Sequence, residues 1–124
     1  MQVLCNKFIS ECKNSGITVT ITSTYRDNES QAELYAQGRT KPGEVVTDAK
    51  AGDSIHNYRL AFDFVPVYDN KAQYSDDLLF VLCGRIGTNL GLEWGSNWRS
   101  FKDTPHFQYT AGLSLADLKA GKVI

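Results

Sequence analysis

The fold is decided by the stretch Ser54-Ile55-His56-Asn57-Tyr58-Arg59-Leu60-Ala61-Phe62-Asp63-Phe64. Its polar first half gives way at Leu60 to an apolar run that continues to Val67, which predicts a strand over residues 60–67. Asp63 interrupts this run. Because an isolated buried charge is very costly, a carboxylate at this position must be solvated, paired or bound to a metal ion. The stretch therefore predicts a central strand with a polar group suited to chemistry.

Further elements are predicted on both sides of this strand by hydrophobic periodicity and by cap and turn residues. The expected helices run over 3–13, from a cap at Asp27 or Asn28 to Gly38, from a cap at Ser75 or Asp76 to Leu90, and after Ser114 to Lys119. The other expected strands lie at 17–22, at Val45-Val46 within a long loop over 39–54, and near 92–94 and 106–109. Helices and strands do not alternate regularly. We therefore expect an α+β fold with a small, mainly antiparallel sheet and flanking helices.

Length and charge limit the classes of protein that this sequence can encode. The 124 residues are enough for one domain, expected over 1–124. The 42% hydrophobic and 22% charged content is typical of a globular chain. The net charge of -1 shows no basic excess of the kind that nucleic-acid binding requires, and no apolar run approaches the roughly 20 residues that span a bilayer.

The start of the chain and its cysteines point to a cytosolic place of synthesis. Residues 1–7 lack the basic start and long apolar stretch of a signal peptide. Cys5 and Cys12 would be about 10.5 Å apart on a helix, too far for a disulfide, and Cys83 adds no C-x-x-C motif. We expect three reduced thiols that act as small buried hydrophobic side chains.

The only two histidines, His56 and His106, form a candidate metal set with Asp63. Two imidazoles and one carboxylate suit Zn²⁺ and leave a fourth position open. Residues 56 and 63 would be about 10.5 Å apart on a helix and about 23 Å apart on a strand, too far in both cases for one ion. The chain must therefore turn between them, and Asn57-Tyr58-Arg59 is the expected place.

A further carboxylate lies close to the second histidine in the sequence. Asp103 precedes His106 by three residues, and Pro105 restricts Thr104 to extended geometry, which keeps the two side chains near one site. A carboxylate beside a metal that is not itself a ligand can take a proton from water and pass it to a leaving amine. Asp103 is the candidate base, and Glu93 is the alternative.

These residues resemble a known family. Residues 54–64 are similar to the S-x-H-x(6)-D signature of zinc D,D-carboxypeptidases and L-alanyl-D-glutamate endopeptidases, which include vancomycin-resistance peptidases and phage endolysins. The segments Glu93-Trp94-Gly95 and Asp103-Thr104-Pro105-His106-Phe107 are similar to the second motif of that family.

The resemblance extends over roughly residues 4–110. Residues 22–26 and 31–40 are similar to the N-terminal segment of the family, and four motifs follow one another in the same order. One departure is visible, because the family often has glycine where this chain has Arg59.

The resemblance implies roles for the candidate residues. His56, Asp63 and His106 would hold one Zn²⁺ per chain in a zinc-centred cleft, and Asp103 would be the catalytic base. Arg26 would hold a substrate carboxylate, for which its planar fork of donors is suited; a salt bridge at the strand–helix junction is the alternative. Ser54 would help to hold the substrate or the site, or make only a loop hydrogen bond.

The implied activity is hydrolysis of a peptide bond in the stem peptide of peptidoglycan. The stretch 37–43 is most similar to the L-alanyl-D-glutamate endopeptidase branch. A D-alanyl-D-alanine carboxypeptidase, a zinc-stabilised module that binds wall peptide without cutting it, and an interaction domain without metal remain alternatives. The expected protein is a monomer that acts on the bacterial wall, either as a phage or prophage endolysin that leaves the cytoplasm through a holin-made pore or as a shortened form of an exported protein. The aromatic side chains of the motifs either line the cleft or pack in the core: Tyr58, Trp94, Trp98 and Phe107.

Overall fold

The computed structural model describes residues 2–47, 49–97 and 103–122. Its helices are α1 (Gln2–Asn14), α2 (Asn28–Ala36), α3 (Asp77–Asn89) and α4 (Leu115–Lys119), with short 3₁₀ helices at Ile55–Tyr58 and Gly95–Asn97. Its strands are β1 (Thr18–Ser23), β2 (Ala61–Tyr68), β3 (Lys71–Ala72), β4 (Glu93–Trp94) and β5 (His106–Gln108). None of the described helices is both long and apolar enough to cross a membrane.

The chain divides into two compact units. The first comprises Met1–Thr24 and Ala61–Tyr109, and the second comprises Tyr25–Leu60 and Thr110–Ile124. The single domain expected over 1–124 stays a prediction.

The first unit contains the sheet. Its strands pair in the order β1-β2-β5-β4, with β3 paired to β2, and every pair is antiparallel. The expected α+β fold with a small antiparallel sheet is confirmed. Successive side chains of a strand point to opposite faces, so Phe62 and Phe64 of β2 lie on one face and Asp63 lies on the other. The pleat thus separates an apolar face from a polar one.

The apolar face is filled by aromatic rings. Phe8 of α1 packs on Phe62, Phe64 and Phe107, and Phe80 of α3 packs on Phe64, with ring centroids 4.9–5.6 Å apart. All five rings are buried. Tilted and edge-to-face contacts at these distances stabilise a core beyond the area they bury. This cluster fixes β2 and β5 against the two helices.

Helix α3 approaches the sheet closely because of two glycines. A Cβ at Gly84 would overlap the ring of Trp94, and a Cβ at Gly87 would overlap the ring of Phe107. Phe107 packs against this helix and is buried, so it is a core residue and does not line a site.

Helix α3 begins where expected, since Asp76 Oδ1 accepts a hydrogen bond of 3.1 Å from the backbone N–H of Leu79.

The three cysteines are free and buried, as predicted. Cys12 of α1 and Cys83 of α3 are hydrogen-bonded to each other, and this bond together with burial raises the pKa of the Cys12 thiol. Both side chains act as part of the apolar core.

The second unit contains α2, the first 3₁₀ helix and α4. Asp27 caps α2, because its Oδ1 accepts a hydrogen bond of 2.7 Å from the backbone N–H of Ser30. Ser114 and Asp117 form a reciprocal capping box at the start of α4. These caps confirm the expected starts of both helices.

The strand expected at Val45-Val46 is wrong. These residues are not part of any strand, and each valine is 51% exposed. Side chains hold the loop instead: Gln37 Nε2 donates to Glu44 O at 3.1 Å, and Arg39 Nη1 donates to Thr47 O at 3.1 Å. Two β-branched residues favour extended backbone, but a strand also needs a paired neighbour.

Candidate metal centre

The sheet register brings Asp63 and His106 together. The two residues lie directly opposite each other on β2 and β5, on the polar face. His106 Nδ1 lies 3.1 Å from Asp63 Oδ1, and His106 is only 4% exposed. The carboxylate that interrupts the apolar strand is therefore paired with an imidazole, which offsets the cost of its partial burial.

Asp103 lies beside the same imidazole. Its Oδ2 is 3.8 Å from His106 Nδ1, and its side chain is 38% exposed. The backbone holds it there, because Asp103 N donates to Gly95 O and His106 N donates to Asp103 O, both at 3.1 Å. A Cβ at Gly95 would overlap the carbonyl oxygen of Asp103, so only glycine fits this approach. The local sequence gives no sign that Gly95 positions Asp103.

The imidazole of His106 lies in a field that favours positive charge. Burial lowers its pKa, but hydrogen bonds to Asp63 and Gln108 and the charges of Asp63 and Asp103 outweigh burial and raise the pKa above its ordinary value. Carboxylates that stabilise an imidazolium at this place would also stabilise a bound cation.

His56 lies in the 3₁₀ helix Ile55–Tyr58, where it is buried. Ser54 caps this helix: its Oγ accepts from His56 N at 3.3 Å, and its own N–H donates to Asn57 Oδ1 at 3.1 Å. Arg59 ends the helix in the left-handed conformation with φ +63°. The expected turn at 57–59 is confirmed, and the left-handed backbone explains why glycine suits position 59.

Three candidate ligands meet the chemical requirements of a metal site. His56, Asp63 and His106 each offer one ligand atom of a kind that binds metal ions. Two imidazole nitrogens and one carboxylate oxygen are a donor set that suits Zn²⁺. The described residues therefore include a His-Asp-His group that could bind a metal ion.

Arg26 is fixed to the helix that carries His56. Its backbone N–H donates to His56 O at 3.1 Å, and Asn57 Nδ2 donates to Arg26 O at 2.7 Å. Its Nη1 donates to Gln31 Oε1 at 2.8 Å, while Gln31 Nε2 donates to Ala49 O at 2.6 Å. Gln31 is fully buried. The guanidinium is thereby held by an amide whose own position is fixed.

The organising roles of Gln31 and Asn57 were not predicted from the sequence. Gln31 was expected only as part of the helix, although a polar side chain at an apolar position of that helix is a usable signal. Asn57 was expected only in the turn. Both amides use donor and acceptor atoms at once, which ties the loop, α2 and the 3₁₀ helix together.

The remaining candidate residues have other partners. Glu93 Oε2 accepts a hydrogen bond of 2.9 Å from Gln108 Nε2. Trp94 Nε1 donates to Thr104 O at 2.8 Å, and Tyr58 Oη donates to Gly52 O at 2.5 Å. Trp98 lies outside the described residues.

Comparisons with known proteins find relatives in a bacterium and in a phage. The chain is 43% identical over 106 residues, 77% of its length, to the peptidoglycan L-alanyl-D-glutamate endopeptidase CwlK of Bacillus subtilis (strain 168), and covers 62% of that protein. It is 32% identical over 111 residues, 83% of its length, to the L-alanyl-D-glutamate peptidase of Listeria phage A118, and covers 34% of it. The chain thus spans less than two thirds of both relatives.

Solved structures share the fold. The L-Ala D-Glu endopeptidase ChiX of Serratia marcescens matches 96% of this chain and 84% of its own at a TM-score of 0.61 and 22% identity. The zinc-bound vancomycin resistance D,D-pentapeptidase VanY, as its E175A mutant, matches 96% of this chain and 75% of its own at a TM-score of 0.67 and 14% identity.

The match to a family extends over the segment that holds all the candidate ligands. A peptidase M15 family model, described as D-alanyl-D-alanine carboxypeptidase, matches residues 47–109. This range includes His56, Asp63, Asp103 and His106, and it makes up half of the chain. By this match, the chain belongs to the peptidase M15 family described as D-alanyl-D-alanine carboxypeptidase.

Proposed function

We propose that the protein is a zinc-dependent peptidase that hydrolyses the L-alanyl-D-glutamate bond in the stem peptides of peptidoglycan. The observation that carries the proposal is the carboxylate of Asp103 beside the Asp63–His106 pair, at 3.8 Å from His106 Nδ1. The choice of bond is supported by the two relatives that are named for this activity. We propose a monomer that acts on the bacterial cell wall.

The proposed metal ligands are His56, Asp63 and His106, which would hold one Zn²⁺ per chain. The chemistry of the set supports this assignment, and so does the direct pairing of Asp63 with His106. Zinc held there would polarise the scissile carbonyl and lower the pKa of water. Ser54 supports the site indirectly, because its hydroxyl accepts from the backbone N–H of His56 and so holds the 3₁₀ helix in place.

Asp103 is proposed as the catalytic base. Its carboxylate is accessible to solvent, and its backbone is held on both sides by Gly95 and His106. It would accept a proton from the attacking water and return it to the nitrogen of the leaving amine. Glu93 is less suited to this role, since its Oε2 accepts a hydrogen bond from Gln108.

Arg26 is proposed to bind a carboxylate of the stem peptide. Its guanidinium is a planar fork of N–H donors, and one arm is fixed by the buried amide of Gln31. Fixing the fork lowers the entropy cost of binding an anionic group. The α-carboxylate of D-glutamate next to the scissile bond fits this chemistry.

Mass spectrometry of digested peptidoglycan tests the proposal. Zinc-loaded protein is expected to release fragments with a new amino-terminal D-glutamate, and chelator is expected to stop their release. The D103N variant should bind zinc and release almost no fragments, whereas D69N should match the wild type. Asp69 lies in a turn at φ +52°, a conformation that asparagine tolerates, so D69N is a matched control for loss of a carboxylate.

D-alanyl-D-alanine carboxypeptidase activity is the second candidate, favoured by the description of the matching family. The same digest separates the two, because release of terminal D-alanine without new D-glutamate termini would support the carboxypeptidase. If zinc is bound and neither product appears, the protein is a wall-peptide binding module and both activities are refuted.

A further inference from the structure

Four polar side chains form a continuous row on the polar face of the sheet. His106 Nδ1 lies 3.1 Å from Asp63 Oδ1, and His106 Nε2 lies 2.9 Å from Gln108 Oε1. Gln108 Nε2 then donates to Glu93 Oε2 at 2.9 Å. The row extends from β2 across β5 to β4, and its far end has no role in the chemistry proposed above.

The strand register produces this row. His106 lies opposite Asp63, and Gln108 lies opposite Glu93 on the neighbouring strand. His106 and Gln108 are two residues apart on β5, so their side chains point to the same face. Residues directly opposite on antiparallel strands are close enough for side-chain contact. Backbone pairing alone therefore places an amide and a carboxylate behind the imidazole.

The direction of the hydrogen bonds follows from what each group can do. An ionised Glu93 carboxylate only accepts, so Gln108 must turn its NH₂ toward Glu93 and its carbonyl oxygen toward His106. That oxygen only accepts, so His106 Nε2 must carry a hydrogen. A neutral imidazole carries one N–H, which leaves the lone pair on Nδ1. Nδ1 is the nitrogen that lies beside Asp63 and Asp103.

We propose that Gln108 and Glu93 are positioning residues that fix the tautomer and ring orientation of His106, so that its Nδ1 lone pair is directed at the metal ion. The inference rests on the proposed function, because it takes His106 as a zinc ligand. Metal-binding histidines commonly donate their second N–H to an acceptor that orients the ring and strengthens the ligand. Here the acceptor is a neutral amide, and the carboxylate behind it sets which way the amide points.

Zinc affinity tests the inference without measuring catalysis. In competition with a chelator, the Q108L variant is expected to bind zinc about 10- to 100-fold more weakly than the wild type. The double variant E93Q/Q108E exchanges the amide and the carboxylate and keeps an acceptor at His106 Nε2, so its zinc Kd should return to within a few-fold of the wild type. Q73L is the control, because the Gln73 amide donates to the turn carbonyls of Tyr68 and Lys71, away from the proposed ligands.

Nitrogen-15 NMR of zinc-loaded wild-type protein tests the tautomer directly and needs no variant to fold. A single proton on Nε2 of His106, with Nδ1 bound to zinc, is the expected result. A proton on Nδ1, or a wild-type zinc Kd in Q108L, would overturn the inference. Zinc binding without peptide hydrolysis would refute the proposed activity alone, whereas a wild type that binds no zinc would refute both.

Discussion

Replacing Gly95 with alanine is expected to damage the site by moving Asp103. The added Cβ would overlap the carbonyl oxygen of Asp103, and this oxygen also accepts the backbone hydrogen bond from His106. The Cβ would lie 2.1 Å from this oxygen, and ordinary van der Waals contact begins at 3.4 Å, so the Asp103 backbone must retreat by more than about 1 Å. A 1 Å displacement of a catalytic group can cost about 100-fold in rate, or about 2.7 kcal/mol of transition-state stabilisation. The crowding itself should lower the free energy of unfolding by about 1–3 kcal/mol.

The assay is kcat/KM for a soluble stem peptide, measured beside zinc content and urea unfolding for each variant. G95A should retain one zinc per chain and lose about 100-fold in kcat/KM. G91A is the matched control: Gly91 has φ +93° and open space where a Cβ would lie, so alanine there strains the backbone without touching Asp103. G95A with wild-type kcat/KM would refute the reasoning, and loss of zinc would show that the change acts through the ligands instead.

Three further predictions concern the unit that carries Arg26. Replacing the buried Gln31 with leucine should lower the free energy of unfolding by about 1–3 kcal/mol in urea, because the Ala49 carbonyl loses its donor; an unchanged value would contradict this. Position 59 tests backbone strain: R59G and R59A both lose the stacking of Arg59 on Tyr25, but R59G should be about 1 kcal/mol more stable because φ is +63°, and equal stabilities would contradict it. The hydrogen bonds from Ser30 lower the pKa of Asp27 in the folded protein. The Asp27 cap therefore stabilises the folded protein at pH values above the pKa of the unfolded chain, and this stabilisation is lost as the pH falls through the pKa of the folded protein. The thermal unfolding temperature of D27N should depend less on acid pH than that of the wild type, and parallel pH profiles would refute this.

Most helices and strands were predictable because each is specified by a local pattern. The β-branched alternation of β1 and the apolar run of β2 appear within a few residues of the predicted bounds. The caps of α2, α3 and α4 were also readable, since an Asp or Ser precedes each apolar period.

The strands that were wrongly predicted or not predicted depend on pairing with residues that lie elsewhere in the sequence. Val45-Val46 has the composition of a strand but no paired neighbour, whereas the two-residue strand β3 has little strand character and forms because a turn brings it back onto β2. Pairing is a long-range property, so composition over two residues cannot decide it.

The proposed metal ligands were predictable because they break the pattern around them, as Asp63 does within an apolar strand. The residues that support them were not. Gln108 follows His106 by two residues, but its link to Glu93 depends on the register of β4 against β5. Gln31 likewise depends on where Arg26 and Ala49 lie in the folded chain.

Anomalous diffraction at the zinc edge, from crystals of zinc-loaded protein, tests the metal assignment most directly. The proposed site predicts one peak per chain at about 2.0–2.2 Å from one nitrogen of His56, one nitrogen of His106 and one oxygen of Asp63. A peak at other side chains would contradict the assignment, and so would the absence of a peak in crystals where His56, Asp63 and His106 are well ordered.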